Sequence, residues 1–160
     1  MYDFTPDPAA PKAELYRELV SAAQALTDNE PDGVANMANI AALIWQSVPD
    51  LNWAGFYRNL NGELVLGPFI GKPACIRIAH GQGVCGAALA SGKVQLVPDV
   101  HAFPGHIACD GASRSELVVP VLRAGLVIAV IDLDSPLPAR FDEEDAAGIS
   151  ALATRIAAVI

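Results

Sequence analysis

Hydrophobic positions recur along this chain with a helical period at both ends and with a period of two between them. From Lys12 to about Leu26, the apolar residues Leu15, Leu19, Ala22 and Leu26 fall at helical spacing and predict an amphipathic helix. After the turn-forming stretch "TDNEPDG", a second helix is expected from about Val34 to Val48. Its apolar stripe runs through Val34, Ala38, Ala41, Trp45 and Val48, with Trp45 in the core, and Pro49 stops it. The period then changes. "LNWAGFYRN" and "ELVLGPF" read as a hairpin across "NLNG", and "ACIRIA" as a third strand. "GVCGAALASG" predicts a short helix bracketed by glycines, and "VQLVP" a short strand. Residues 99–114, "DVHAFPGHIACDGASR", have no period and are expected to form a long loop, a feature that compact domains usually keep for function. "SELVVPVL" and "LVIAVIDLDS" predict a hairpin around "RAG". The last helix, within "FDEEDAAGISALATRIAAVI", has Asp142 as its N-cap and acids in its first turn. Its buried face carries Ile149, Leu152, Ile156 and Val159.

These elements imply an α+β fold: a central, mostly antiparallel sheet of five or six strands, helices on one face and the long loop on the other. Residues 1–11, acidic and proline-rich, are expected to be a flexible lead-in, and 12–160 a single domain of adequate size for one core. The net charge of −8 comes without any basic cluster, which argues against nucleic acid as a partner. The longest apolar runs are broken by Pro120, Arg123 and Gly125 and fall short of the roughly 20 residues of a membrane span. The start of the chain lacks the cationic and apolar regions of a signal peptide. A cytoplasmic location is expected, where thiols stay reduced unless they turn over.

That matters for the three cysteines, which are too few and scattered for a disulfide framework and form no C-x-x-C pair. Either they are small buried residues, or they do redox chemistry. Cys75 shares a strand face with Arg77. Cys85 falls in the first turn of a helix, where backbone N–H groups favour a thiolate. Cys109 sits in the polar loop, three residues after His106, a candidate base.

Strand alternation puts Asp132 and Asp134 on one face, and neighbouring carboxylates raise each other's pKa; the alternative is a solvated strand end. Glu116 joins them if "RAG" is a three-residue loop, which sets Glu116 opposite Asp132. A two-residue turn turns Glu116 to the other face unless a bulge, expected at Pro120, restores the match. Trp53, Gly55 and Tyr57 also share a face. They either pack in the core or leave an aromatic-walled slot above the glycine, suited to a methyl or ammonium group.

The runs "GPFIGKPACIRIAHGQGVCG", "VPDVHAFPGHIACDGASRSELVVP" and "VIDLDSP" resemble the free methionine-(R)-sulfoxide reductases, a catalytic branch of the GAF fold. The resemblance extends from about Asn52 to the final helix. It implies that Cys109 attacks the sulfoxide sulfur and becomes a sulfenic acid. Cys75, or alternatively Cys85, then closes a disulfide that thioredoxin reduces, with NADPH and thioredoxin reductase behind it. It further implies that Glu116, Asp132 and Asp134 bind the sulfoxide and amino group, and that Trp53 and Tyr57 hold the methylthio end. Backbone N–H groups of "GHIACDGAS" receive the carboxylate. No bound cofactor or metal is implied, and a homodimer is an analogy with the fold. Rival readings are a non-catalytic ligand-sensing module and a thiol peroxidase.

Overall fold

Alternation along each strand sorts the apolar residues onto two faces of one sheet, and each face acquires its own cover. The computed structural model describes residues 10–106 and 110–160. The first part of the expected lead-in, residues 1–9, lies outside them, as does Cys109. In chain order the elements are α1 (Lys12–Thr27), α2 (Gly33–Ser47), β1 (Trp53–Leu60), β2 (Glu63–Gly71) and β3 (Arg77–Ile78). Then come α3 (Gly83–Ser91), β4 (Gln95–Val97), a 3-10 turn at Val100–Ala102, β5 (Ser115–Arg123), β6 (Leu126–Ser135) and α4 (Glu143–Ile156). All strand pairs are antiparallel, in the order β3-β2-β1-β6-β5-β4.

On one face Ala54, Phe56, Leu117, Ile131 and Leu133 pack against Leu19, Ile40, Ile44, Ile149 and Leu152 from α1, α2 and α4. On the other, Trp53, Tyr57, Val118 and Val130 meet Val84, Cys85 and Ala88 of α3, with Val100. Three helices thus share a face as expected, but α3 lies with the loop on the opposite one. Its short sequence buries Val84, Cys85, Ala88 and Leu89 against that face. Among the described residues, no helix is long and apolar enough to cross a membrane.

The stripe of α2 differs from expectation. Trp45 is 38% and Val34 49% exposed, while Met37, Ile40, Ala41 and Ile44 are buried. The helix is apolar around most of its circumference, so spacing alone admits two stripes, and the one with the larger aliphatic side chains is buried. Asp32 caps α2 by accepting from the N–H groups of Val34 and Ala35. In α4, Asp142 caps the helix and Asp145 closes a capping box, as the acidic first turn suggests. Val159 is only half-buried. Buried Asp145 also accepts from Tyr16 Oη and Lys12 Nζ, each at 2.7 Å, and from Arg140 at 3.2 Å, tying α1 to α4.

Two bulges set the registers around the acids. In β2 one extra residue lies opposite Phe56, where Pro68, which has no N–H to donate, falls. In the β5–β6 hairpin, Ala124 and Gly125 both take positive φ, forming a two-residue turn rather than the expected three-residue loop. A bulge beside Ile128, not at Pro120, then shifts the register. Glu116 returns to the face of the aspartates, paired with Asp134 rather than Asp132. The third strand is short: only Arg77 and Ile78 pair, and Cys75 lies on the approach to it.

Candidate active site

The site grows from three adjacent strands. On β6, Asp132 and Asp134 point to the α3 side; β5 sets Glu116 beside Asp134, and β1 sets Trp53 opposite Asp134 and Gly55 opposite Asp132. The first turn of α3 lies above them and contributes Cys85. Together with Tyr57, these side chains line a cavity of about 550 Å³, counting its open mouth. Cys85 Sγ and one carboxyl oxygen each of Glu116 and Asp132 lie within 4.8 Å of one another.

Like charges in a buried place hold protons. Burial, then the charges of Asp132 and Asp134, push Glu116 well above the usual carboxylate range. Burial and the Asp132 charge raise Asp134. Burial raises Asp132 to about 6, while hydrogen bonds from Cys85 and Glu116 limit the rise. The same surroundings reverse the expectation for Cys85. Burial, then Asp132 and Glu116, push its thiol well up, so it is a protonated donor to Asp132 rather than a helix-stabilised thiolate. His106 reaches the site, with Nε2 3.9 Å from Glu116 Oε2; burial and then His101 lower its pKa, which keeps it neutral.

The aromatic residues both pack and line the cavity. Trp53 is 3% and Tyr57 1% exposed, their rings stacked with centroids 5.9 Å apart. The slot above Gly55 is not open: Phe69 stacks on Trp53 at 5.2 Å, and a Cβ on Gly55 would sit 2.4 Å from Phe69 Cβ. The aromatic wall therefore faces the cavity from the side. Trp53 Nε1 donates to the Lys72 carbonyl at 3.1 Å and Tyr57 Oη to the Cys75 carbonyl at 3.0 Å, which fixes the strap carrying Cys75.

A polar clamp was missed in the sequence. Asp110 accepts from Asn52 Nδ2 (3.2 Å), Lys72 Nζ (3.1 Å) and the Ala112 N–H (3.0 Å). Asn52 Nδ2 also donates to Ser113 Oγ at 3.0 Å. The Ala112 N–H and Lys72 hold the Asp110 carboxyl below its usual range. Asp110 and Ser113 belong to the stretches that carry the family resemblance and Asn52 stands where it begins, but nothing in a polar loop shows which members join. Of the expected site residues, the fold thus gathers Trp53, Tyr57, Cys85, Glu116, Asp132 and Asp134 around one cavity. Half-buried Cys75 packs against the same apolar cluster. Cys109 lies outside the described residues.

Residues 16–160 match the GAF domain family. A free methionine-R-sulfoxide reductase of Escherichia coli is 46% identical over 149 residues, covering 93% of this chain and 90% of the relative. The X-ray structure of the free methionine-R-sulfoxide reductase of Neisseria meningitidis, in complex with its substrate, superposes with a TM-score of 0.94. That match has 44% identity and covers 99% of this chain and 95% of the other. A crystal structure described as a putative GAF sensor protein from Burkholderia vietnamiensis gives a TM-score of 0.90 at 56% identity, covering 94% and 96%.

Proposed function

The chain belongs to the GAF domain family and, within it, to the free methionine-(R)-sulfoxide reductases; on that premise, we propose that it reduces free L-methionine (R)-S-oxide to L-methionine. The observation that carries the reading is the convergence of Glu116, Asp132 and Asp134 on one cavity beside Trp53 and Tyr57. A free amino-acid sulfoxide needs two things from such a place. Its ammonium needs negative charge, and its sulfoxide oxygen needs a proton before it can be transferred. Three clustered carboxyl groups, some ionised and some protonated, supply both. The aromatic wall accommodates the methylthio end.

In the proposed reaction, Cys109 attacks the sulfoxide sulfur while a neutral carboxyl protonates the oxygen. The S–O bond of the substrate breaks, the sulfur gains two electrons and methionine leaves. Cys109 loses two electrons and keeps the oxygen as a sulfenic acid. A second thiol then displaces that oxygen as water and forms a disulfide. Cys75 suits this step better than Cys85, because attack requires a thiolate and Cys85 is buried, protonated and hydrogen-bonded to Asp132. Thioredoxin, a dithiol, is the proposed reductant of the disulfide by exchange, with NADPH and thioredoxin reductase restoring it.

The test follows NADPH oxidation with thioredoxin, thioredoxin reductase and, in parallel, the (R) epimer, the (S) epimer or hydrogen peroxide. Turnover of the (R) epimer alone, abolished in Cys109→Ser, is expected. Turnover of peroxide alone, or none of any substrate, would overturn the reading, as would full activity in Cys109→Ser.

A further inference from the structure

Cys85 has no redox step in that scheme, yet it stands buried against two acids. We propose that Cys85 Sγ, a Glu116 oxygen and an Asp132 oxygen form a site for a thiophilic divalent cation of the Zn2+ type, and that its occupation closes the cavity to substrate. The metal site itself is independent of the proposed reaction, whereas its exclusion of substrate rests on that reading. The three donor atoms lie within 4.8 Å of one another, and their residues are 4%, 6% and 6% exposed. Donors sit about 2.3 Å (sulfur) and 2.0–2.2 Å (oxygen) from zinc, so a small contraction would seat the ion.

The donors come from α3, β5 and β6, three elements locked into one core, so the cluster is largely pre-formed. A second observation points to a missing ligand: Asp132 Oδ1 is buried and has no hydrogen-bond partner among the described residues. Buried carboxylate oxygens are normally paired, and an orphaned one calls for an explanation. Its residue lines the cavity with Cys85 and Glu116. The donor set selects the metal. Mg2+ and Ca2+ prefer six or more oxygens, which three residues do not provide, whereas a thiolate with carboxylates suits zinc. His106 Nε2, 3.9 Å from Glu116 Oε2, is within reach as a fourth donor, or water takes that position. A bound dication would neutralise the carboxyl groups proposed to attract the substrate ammonium, so metal and sulfoxide exclude each other.

The experiment titrates the reduced protein in thiol-free buffer with Zn2+ against a chromophoric chelator. A parallel titration with Co2+ reads thiolate-to-metal charge-transfer absorption. The variants are Cys85→Ser, Asp132→Asn and a Cys75→Ser/Cys109→Ser double variant, which retains the proposed ligands and removes the redox pair. Expected are one ion per chain in wild type and double variant, with the charge-transfer band in both and no band in Cys85→Ser. Affinity should fall in Cys85→Ser and Asp132→Asn by at least the roughly 10–100-fold that loss of an outer-sphere partner costs. Free methionine (R)-sulfoxide should displace Zn2+ from the double variant. Loss of binding in the double variant with retention in Cys85→Ser would overturn the proposal by assigning the ion to the redox pair. Absence of stoichiometric binding in the double variant would also overturn it, as would Zn2+ binding unaffected by sulfoxide when the wild type turns that sulfoxide over; with no turnover in the wild type, it is the proposed function that fails and not the metal site.

Discussion

Replacing Asp132 by Asn should stabilise the protein while removing activity. Asp132 is 6% exposed, and burial raises its carboxyl from 3.8 to about 6. Folding therefore favours the protonated form. Below about pH 4 the group is protonated in both folded and unfolded chains and costs nothing. Between about pH 4 and 6 the unfolded chain ionises first, so stability falls as the pH rises. Above that interval the full cost remains. At about 1.36 kcal/mol per pH unit, it amounts to about 3 kcal/mol. Asn keeps the shape of the side chain and carries no charge. The hydrogen bonds from Cys85 and Glu116 already hold the carboxyl down to about 6, so they carry no separate cost. The expected gain is about 3 kcal/mol near pH 8, or roughly 6–12 °C in Tm for a chain of this size.

The assay is urea denaturation of the reduced protein, followed by circular dichroism from about pH 4 to pH 8. Wild type and Asp132→Asn should converge at the acid end and separate as the pH rises, with the variant the more stable. Parallel curves, or a variant less stable at the alkaline end, would refute the argument that buried like charge destabilises this cavity.

Three further outcomes follow from the same structure. The rate should fall as pH rises through the elevated pKa values of the acid cluster; Asp134→Asn, by removing a charge that raises Glu116, should move that fall to lower pH in a kcat/KM profile. Asn52→Ala frees Asp110 and Ser113 from their clamp and should reduce kcat/KM by about tenfold or more, with a stability loss of only about 1–2 kcal/mol by denaturation, since two hydrogen bonds are removed. Gly148→Ala puts a Cβ 2.1 Å from the Tyr16 ring and should destabilise by about 3 kcal/mol or more in the same denaturation assay; an unchanged midpoint would mean that α1 can slide on α4.

How much of this was legible in the sequence depends on how local the signal is. Asp142 announces its helix because a cap and its acidic first turn lie within four residues. The strand that carries Asp132 and Asp134 is read off its alternation, with both ends at the expected residues. Glu116 shows where local reading stops. Its face depends on whether a turn of two residues is compensated by a bulge, and the bulge beside Ile128 leaves no mark in composition. Phe69 was invisible for the same reason, since its place against Trp53 depends on the extra residue in β2. Trp45 misled because α2 is apolar on more than one side. The thiol of Cys85 misled more instructively. A helix N-terminus does favour a thiolate, but that local field is outweighed by burial and by acids that arrive from β5 and β6, far away in sequence.

The destabilising features of the cavity are also the ones that would make it selective. Three carboxyl groups packed beneath α3 form a site whose electrostatics are incomplete until a cation enters. On the proposed function, that cation is the substrate's own ammonium. A methionine sulfoxide inside a polypeptide has a neutral amide there instead, so it would have to bury the acids without neutralising them. The discrimination needs no steric barrier, because a buried polar group left unsatisfied costs about 1–3 kcal/mol and a charged one costs more. Capping the amino group of methionine (R)-sulfoxide with an acetyl group isolates this contribution. The expected result is a loss of at least about a hundredfold in kcat/KM, equivalent to about 2.7 kcal/mol. Asp134→Asn should narrow the gap between the free and acetylated substrates. If the acetylated compound turned over as well as the free one, the acids would have no part in recognising the amino group.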